Sequence, residues 1–312
     1  MTELGPLLFQ PWLRPMPWGG THLKEYYPCS SQDRIGEAWL ISDHPLHPSE
    51  VMQGMYAGRT LPSLVAAFPQ EMGFVSGCRF PLLIKILDAA ENLSIQVHPD
   101  DERARTWSPA EGGKTEAWTI LQSDEDACIY LGMPGKPSKT VIDQHLRGNT
   151  LVDAMHRIVP HKNETYFLPA GTVHALGKGV MALEVQQTSD ATFRLYDWGR
   201  VDAAGNPRQL HLEAGLACVQ HHDNAGLQQP HQEAHTTTEV LVETPYFSLR
   251  RSPAQHTIEQ PCVVIPWQGN AYIPAADMII APGHACLLPR SMKNISITLD
   301  SDAVLFEVRW PL

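Results

Sequence analysis

The clearest pattern in the chain is an alternation of apolar and polar residues over the stretch 93–99, Leu-Ser-Ile-Gln-Val-His-Pro. Because side chains i and i+2 of a strand point to the same face, Gln96 and His98 are expected side by side, roughly 6.7 Å apart along the chain. Ile95 and Val97 then face the opposite way, into apolar packing. The pattern predicts a strand whose polar face lines a wet, functional interior.

The same periodicities divide most of the remaining N-terminal chain into strands and a few helices. Strands are predicted at residues 36–42, 81–87, 115–122, 127–131, 164–168, 180–187 and 191–196. Helical spacing predicts helices at 61–68 and 209–220, a polar helical turn at 100–106, and a small insertion of two helices near 138–158. Residues 6–20 are rich in proline and tryptophan, so we expect an irregular extended lead-in there.

A composition shift suggests where a first domain ends. Residues 223–238, rich in His, Gln, Asn, Gly, Pro and Thr, are the best linker candidate. Short strand-like runs follow, separated by turn residues, a pattern typical of a small all-β barrel or sandwich. They lie at 240–243, 246–250, 262–267, 271–273, 278–280, 285–288, 296–299 and 303–308. We therefore predict two domains, at residues 1–225 and 236–312.

Composition excludes some function classes. The apolar share of 43% and the charged share of 18% in 312 residues are ordinary for a globular protein. The net charge of −11 argues against a nucleic-acid partner, because neutralising phosphates needs a basic face. No apolar run is long enough to span a bilayer, so no membrane association is expected. The N-terminus lacks the features of a secretion signal, and the six cysteines are scattered without a Cys-x-x-Cys pair, which indicates a reduced, cytoplasmic chain.

Two further residues extend the polar pattern into a candidate metal site. Glu116 lies near the start of the predicted strand 115–122, and His174 ends the stretch 169–174, Pro-Ala-Gly-Thr-Val-His. The proline and glycine of that stretch are typical of a tight turn, which would deliver His174 to the mouth of a barrel. With Gln96 and His98, these residues offer one amide oxygen, two imidazoles and one carboxylate. Such a set suits a divalent transition metal with room left for substrate or water.

Five stretches of the chain resemble the short bacterial form of type I mannose-6-phosphate isomerase: 80–85, 93–99, 113–118, 169–175 and 184–194. The resemblance is strong from about Trp18 to Trp198 and weak beyond the linker. It implies a mainly β fold: a cupin (double-stranded β-helix, jelly-roll) catalytic domain with small helical insertions, then a smaller, degenerate cupin-like β-domain. It also implies a metal-dependent isomerase that interconverts mannose 6-phosphate and fructose 6-phosphate through an enediol-type intermediate, with one Zn²⁺ per chain.

The resemblance assigns roles residue by residue. The implied metal ligands are Gln96, His98, Glu116 and His174; the implied catalytic residues are Arg194, Lys114 and Glu184; and Ser94 is implied at the substrate end. We add Lys85 as a substrate-binding residue, because a lysine inside an otherwise apolar strand suits an inward role facing a phosphate. Near the C-terminus, residues 287–291 resemble the proline turn, but no histidine follows at the matching position, which implies a second cupin without a metal.

Several points stay open from the sequence. Proton transfer needs a base, and Glu184, Lys114 or a metal-bound water are candidates. Glu184 is alternatively a buried partner of Arg194, and Lys85 alternatively reaches solvent from a strand end. A cluster of Lys85, Lys114 and Arg194 would attract an anionic substrate to a chain that is acidic overall. The alternative functions are a non-catalytic sugar-phosphate-binding cupin and a metal-dependent cupin oxidase or dioxygenase; the oligomeric state is left open.

Overall fold

Short strands dominate the structure, a computed structural model that describes residues 4–29, 34–201, 204–229, 238–252, 256–258, 260–301 and 303–311. The N-terminal strands are β1 Leu7–Leu8, β2 Trp12–Gly20, β3 Ile35–Ile41, β4 Leu82–Ala89, β5 Ile95–Val97, β6 Glu116–Ser123, β7 Ile129–Leu131, β8 Arg157–Ile158, β9 Thr165–Leu168, β10 His174–Leu176, β11 Val180–Gln187, β12 Phe193–Tyr196 and β13 Gly226–Gln229. The C-terminal strands are β14 Glu239–Glu243, β15 Ser248–Ser252, β16 His256–Ile258, β17 Cys262–Trp267, β18 Ala271–Ile273, β19 Met278–Ile280, β20 Cys286–Leu288, β21 Ile295–Leu299 and β22 Val304–Arg309.

Few helices interrupt the strands. The α-helices are α1 Leu61–Ala67, α2 Pro69–Met72, α3 Asp101–Trp107, α4 Lys139–Arg147 and α5 Leu212–Cys218, and 3-10 turns cover His22–Glu25, Val152–Ala154 and Pro274–Ala276. Pro62 sits in the first turn of α1, where its missing N–H leaves no helical bond unmade. Among the described residues, no helix is long and apolar enough to cross a membrane.

The strands form two units of paired antiparallel sheets. The first unit, which we call the catalytic unit after the site predicted in it, contains a seven-stranded sheet, in the order β13-β9-β6-β11-β4-β2-β3, and a five-stranded sheet, in the order β12-β5-β10-β7-β8. The C-terminal unit contains a six-stranded sheet, β1-β20-β17-β22-β15-β14, and a four-stranded sheet, β16-β21-β18-β19. The predicted mainly β, jelly-roll class is confirmed.

The two units share an apolar core. Leu7 and Leu8 of β1 pair with Leu287 and Cys286 of β20, so the start of the chain belongs to the C-terminal sheet. One cluster of buried side chains, which includes Ile84 of the catalytic unit, continues from the seven-stranded sheet into the six-stranded sheet. The division at residues 225 and 236 stays a prediction, and its stretch 230–237 lies outside the described residues.

One local prediction is incomplete and two are wrong. The lead-in at 6–20 is extended as predicted, but it also forms β1 and β2, because the chain pairs with β20 and β3 and accommodates Pro15 at breaks in the β2–β3 register. The insertion at 138–158 has one α-helix, then a 3-10 turn and strand β8 instead of a second helix. Part of the predicted linker is strand β13, which pairs with the edge of β9. The helix predicted at 209–220 is present but shorter.

Candidate functional site

The polar side chains singled out in the sequence lie between the two sheets of the catalytic unit. On the five-stranded sheet, Gln96 of β5 is paired with His174 of β10 on one side and with Arg194 of β12 on the other. On the seven-stranded sheet, Glu184 of β11 is paired with Lys85 of β4. Hydrogen bonding between strands therefore brings residues that are 78 to 99 positions apart in sequence side by side.

Three of the four predicted metal ligands form a compact cluster. One ligand atom each from His98, Glu116 and His174 lie within 4.8 Å of one another, and all three side chains are buried. His174 Nε2 is 3.0 Å from Glu116 Oε1, and His98 Nε2 is 3.5 Å from Glu116 Oε2. The cluster is the only group of three or more His, Cys, Asp or Glu residues with this geometry in the described part of the chain.

Backbone carbonyls orient both imidazoles toward the cluster. His98 Nδ1 lies 2.8 Å from the carbonyl of Ala191, and His174 Nδ1 lies 2.8 Å from the carbonyl of Thr172. A carbonyl can only accept, so each Nδ1 carries the proton and each Nε2 presents its lone pair to the interior. This is the arrangement that metal-binding histidines use.

The surroundings of the Glu116 carboxylate indicate a cation-binding site. Its side chain is fully buried, and neither carboxylate oxygen accepts a well-formed hydrogen bond from the described residues. The Lys114 ammonium lies beside Oε2 and His98 Nε2, but Oε1 has no ion pair with a lysine or arginine of the described residues. Oε1 instead faces the lone pair of His174 Nε2 at 3.0 Å, a repulsive contact that a bound cation would relieve. The donor set, two neutral imidazoles and a carboxylate, fits a divalent transition metal.

Electrostatics holds these groups in the protonation states that bind metal. Burial, reinforced by the nearby Lys114 ammonium, moves the pKa of His98 well below its ordinary value, so the ring stays neutral. Burial alone would raise the pKa of Glu116. The Lys114 ammonium, together with the contacts from His98 and His174, outweighs burial and holds that pKa well below the usual range.

The fourth predicted ligand, Gln96, is adjacent to the cluster. Its Nε2 lies 3.5 Å from His174 Nε2, and its Oε1 lies 3.4 Å from the hydroxyl of Ser94, which acts as donor. An amide ligates a cation through its oxygen. Gln96 would therefore bind a metal after a half-turn of its amide group, a motion that needs no movement of the backbone.

Lys114 lies directly against the cluster. Its Nζ is 3.1 Å from Glu116 Oε2 and 3.2 Å from His98 Nε2, and its side chain is almost fully buried. The lysine therefore lies at the boundary between the ligand cluster and the neighbouring cavity, where a substrate oxygen would meet both.

That cavity has a volume of about 240 Å³, and its lining includes the other predicted site residues: Lys85, Ser94, Gln96, Lys114, Glu184 and Arg194. Lys85 is 3% exposed and faces inward, so the alternative that it reaches solvent is wrong. Its Nζ lies 3.2 Å from Glu184 Oε2, and Trp118 Nε1 donates to Glu184 Oε1 at 2.9 Å. Glu184 thus pairs with Lys85 and not with Arg194.

Arg194 sits in a positively charged corner of the cavity. It is half-buried, its Nη1 donates to the carbonyl of Gln209, and its Nε has no partner among the described residues. Arg200 and Arg208 both form ion pairs with Asp197. Burial lowers the pKa of Arg194, and the charges of Arg208 and Arg200 lower it further, against the opposing effect of Asp197.

Sequence reasoning missed several cavity residues. Arg14, Glu37 and Arg208 line the same space. Glu37 accepts a 2.6 Å hydrogen bond from Trp39 Nε1. The two residues are two positions apart in β3 and so share one face of the strand, a spacing that the sequence shows and that could have marked Glu37 as a cavity residue. Arg208 lies in a stretch without regular periodicity, where the sequence offers no comparable signal.

Comparisons with known proteins agree with this geometry. A family model of the type I phosphomannose isomerase catalytic domain matches residues 8–125. Mannose-6-phosphate isomerase ManA of Bacillus subtilis (strain 168) is 39% identical over 246 residues, 78% of each chain. A mannose-6-phosphate isomerase of Streptococcus mutans is 33% identical over 299 residues, which is 93% of this chain and 94% of that one.

This chain belongs to the type I phosphomannose isomerase family. It is therefore an aldose–ketose isomerase, and its family is metal-dependent. The crystal structure of the mannose 6-phosphate isomerase from Bacillus subtilis has the same fold, with a TM-score of 0.88, 32% identity and coverage of 98% of this chain and 100% of that one. A Salmonella typhimurium phosphomannose isomerase, at 15% identity and a TM-score of 0.76, supports the phosphomannose isomerase fold alone.

Proposed function

We propose that this isomerase interconverts mannose 6-phosphate and fructose 6-phosphate, with a divalent metal ion held by Gln96, His98, Glu116 and His174. The observation that carries the proposal is the convergence of buried, lone-pair-bearing atoms of His98, Glu116 and His174 at the wall of a charged cavity. The substrate pair is that of the relatives named above, whose names specify mannose 6-phosphate.

Zinc is the metal that we propose. Zn²⁺ accepts mixed nitrogen and oxygen ligands and has no redox chemistry, which suits a reaction that only moves a proton. When bound, the ion would supply Lewis acidity to the oxygens on C1 and C2 of the sugar. A set with one carboxylate leaves the site with net positive charge.

The side chains around the cluster would share the remaining chemistry. Lys114 is placed to offset negative charge that develops on the enediol oxygens, because its ammonium lies at the boundary between cluster and cavity. Proton transfer between C1 and C2 has two protein candidates, Lys114 and Glu184. Deuterium incorporation at C2 per residual turnover in solvent D₂O separates them: a variant that keeps the proton carrier retains this ratio, and the variant that lacks it does not.

We assign the substrate phosphate to the Arg194 corner. Arg194, Arg200 and Arg208 with Asp197 leave a net charge of about +2, which matches a phosphate dianion. Lys85 is less suited to this role than the sequence suggested, because Glu184 at 3.2 Å and Glu37 at 4.0 Å already balance its charge. Lys85 then orients Glu184, and the Ser94 hydroxyl contacts the substrate.

A coupled assay tests the proposal. Purified protein is given mannose 6-phosphate, and fructose 6-phosphate formation is followed before chelation, after chelation and after addition of Zn²⁺, alongside elemental analysis. We expect turnover that the chelator abolishes and zinc restores. Unphosphorylated mannose is the matched control, and the charged corner predicts poor turnover of it.

The rival functions give different results in the same experiment. A non-catalytic binding protein would bind the sugar phosphate, seen by calorimetry, with no product. An oxidase or dioxygenase would consume oxygen and form no ketose. Either outcome would overturn the proposal.

We further propose a cytoplasmic location. The six cysteines, Cys29, Cys78, Cys128, Cys218, Cys262 and Cys286, are free thiols, as is typical of a reducing compartment. Cell fractionation that recovers the protein with cytoplasmic markers is the expected result.

A further inference from the structure

The segment that carries Lys114 into the site is held from the outside by two polar side chains. Asp101, the first residue of α3, accepts a 2.9 Å hydrogen bond from the backbone N–H of Gly113 through Oδ1. The same oxygen lies 3.3 Å from the donor Nε2 of Gln187, and Gln187 Oε1 accepts a 2.9 Å bond from the N–H of Thr115. The backbone on both sides of Lys114 is thus tied to one bridge.

The third N–H of the segment is fixed as well. Lys114 N donates to the carbonyl of Pro99 at 2.9 Å, so three consecutive N–H groups, 113 to 115, each have a defined acceptor. Because the segment is a loop, neither a helix nor a sheet ladder supplies these acceptors; two side chains and one backbone carbonyl take that role.

The approach of the segment to α3 is close enough to exclude a side chain at position 113. A Cβ built on Gly113 would lie 2.6 Å from the backbone nitrogen of Asp101 and 2.7 Å from its Oδ1. Two elements that come this close without a side chain between them make a stiff contact. The position of α3 therefore determines the position of the Lys114 backbone.

The C-terminal unit touches the same carboxylate. The hydroxyl of Tyr246, in the turn before β15, donates to Asp101 Oδ2 at 3.3 Å. Asp101 is therefore a junction where α3, the segment 113–115 and the C-terminal unit meet.

We propose that Asp101 and Gln187 are positioning residues for Lys114: they fix the backbone of residues 113–115 so that the lysine ammonium stays against the ligand cluster. Neither residue lines the cavity. The inference rests on the proposed function only in that Lys114 takes part in the reaction. A misplacement of about 1 Å at a reacting group can lower a rate about a hundredfold, so a device of this kind has catalytic weight.

The test compares two changes at Asp101 with a matched control on the same helical turn. Asp101→Ala removes the acceptor, and we expect kcat to fall about tenfold with metal content unchanged and KM within about twofold. Asp101→Asn keeps one carbonyl oxygen for Gly113 and Gln187, so it should retain most of the activity. Glu102→Ala, next in sequence and also in the first turn of α3, should behave like the unmodified protein.

A double-mutant cycle shows whether the effect runs through Lys114. Asp101→Ala is combined with Lys114→Ala and followed with enzyme in excess over substrate, so that slow turnover is measurable. We expect no further loss in the double variant, because the residue being positioned is gone. A further loss of about tenfold, an Asp101→Asn variant as slow as Asp101→Ala, or loss of metal in Asp101→Ala would each overturn the proposal.

Failure of the inference is separable from failure of the proposed function. If the unmodified protein does not form fructose 6-phosphate, the function itself is wrong. If it does and Asp101→Ala matches Glu102→Ala, only the positioning role is wrong. Tyr246→Phe is a further variant with a smaller expected effect. Loss of its hydroxyl should lower kcat by less than Asp101→Ala does, because the hydrogen bond from Gly113 to Asp101 Oδ1 remains.

Discussion

The two β-units share a strand–turn–strand feature and differ in what it carries. In the catalytic unit, β9 ends at Leu168, and the N–H of Thr172 closes a turn on the carbonyl of Pro169 at 3.1 Å. In the C-terminal unit, β20 ends at Leu288, and Met292 closes a turn on Pro289 at the same distance. A strand begins after each turn, β10 in the first unit and β21 in the second.

Matched positions around these turns hold opposite kinds of side chain. The strand after the turn begins with His174 in one unit and with Ile295 in the other. The residue paired across from it is Gln96 in one and Ile258 in the other. The residue paired with the last leucine before the turn is Glu116 in one and Cys262 in the other.

The two units have a similar backbone at these positions, so the side chains, and not the backbone, determine which unit carries a polar site. In the C-terminal unit Ile258, Cys262 and Ile295 belong to an apolar cluster that fills the interior. In the catalytic unit the matching interior positions are polar, and the buried charge of Glu116 is offset in part by the Lys114 ammonium. The interior of the C-terminal unit is an apolar core, whereas the interior of the catalytic unit holds the ligand cluster.

The largest expected effect comes from exchanging the matched pair Glu116 and Cys262 for alanine in turn. Glu116→Ala should remove bound metal and abolish turnover, because the carboxylate is the only anionic member of the cluster. Cys262→Ala should keep both and lose about 1–2 kcal/mol of unfolding free energy through a small cavity. Elemental analysis, turnover and urea unfolding measure these outcomes; tight residual zinc in Glu116→Ala, or in a parallel His98→Ala variant, would contradict the proposed ligand set.

The next effect separates the charged corner from the ligand cluster within the catalytic unit. Arg194→Ala should lower kcat/KM by about 10²–10³-fold with metal retained, since it removes a cation proposed to bind the substrate phosphate and leaves the imidazoles in place. Arg147→Ala, on the exposed face of α4, is the control and should leave kcat/KM unchanged. A near-normal kcat/KM in Arg194→Ala would refute its role.

The contrast between the units also shows what a sequence reveals. Strands β11, β17, β18 and β19 lie at the predicted residues because their apolar runs end at clear turn residues. No local pattern predicts strands β1 and β2 in the lead-in at 6–20, because they form through pairing, β1 with β20 far along the chain and β2 with the next strand, β3. Local sequence patterns therefore predict many of the strands, but strands that depend on pairing with another part of the chain can form without such a pattern.

The site followed the same rule. Gln96 and His98 stood out through alternation, and the proline turn marked His174, whereas Arg208 had no regular pattern around it and only folding brings it to the cavity. The partner of Glu184 could not be read either, because the strand register that pairs β11 with β4 places it beside Lys85.

A third prediction probes the apolar side of the comparison. Ile295→Ala, at the position that matches His174, should lower the free energy of unfolding by about 2–4 kcal/mol, because the side chain is buried in the interior cluster. Turnover per folded molecule should stay unchanged. Ile279→Ala on β19 is the matched control: that side chain is 62% exposed, so urea unfolding should show little change. Equal losses in the two variants would mean that the interior of this unit is not the packed core described here.

The smallest effect concerns a charge pair of the catalytic unit that is separate from the ligand cluster. His22 Nδ1 lies 3.0 Å from Asp88 Oδ1, and this hydrogen bond raises the pKa of His22 above its ordinary value although partial burial opposes it. A raised folded-state pKa gives stability that is fully present below pH of about 6.5 and is lost as pH rises through the folded value. His22→Gln should therefore destabilise the protein more at pH 5.5 than at pH 9. The imidazole is 37% exposed, so screening should keep the difference within about 0.5 kcal/mol, and 1 M salt should reduce it further. Urea unfolding of both proteins at the two pH values decides the matter: a larger loss at pH 9 would show that Asp88 does not favour the protonated ring.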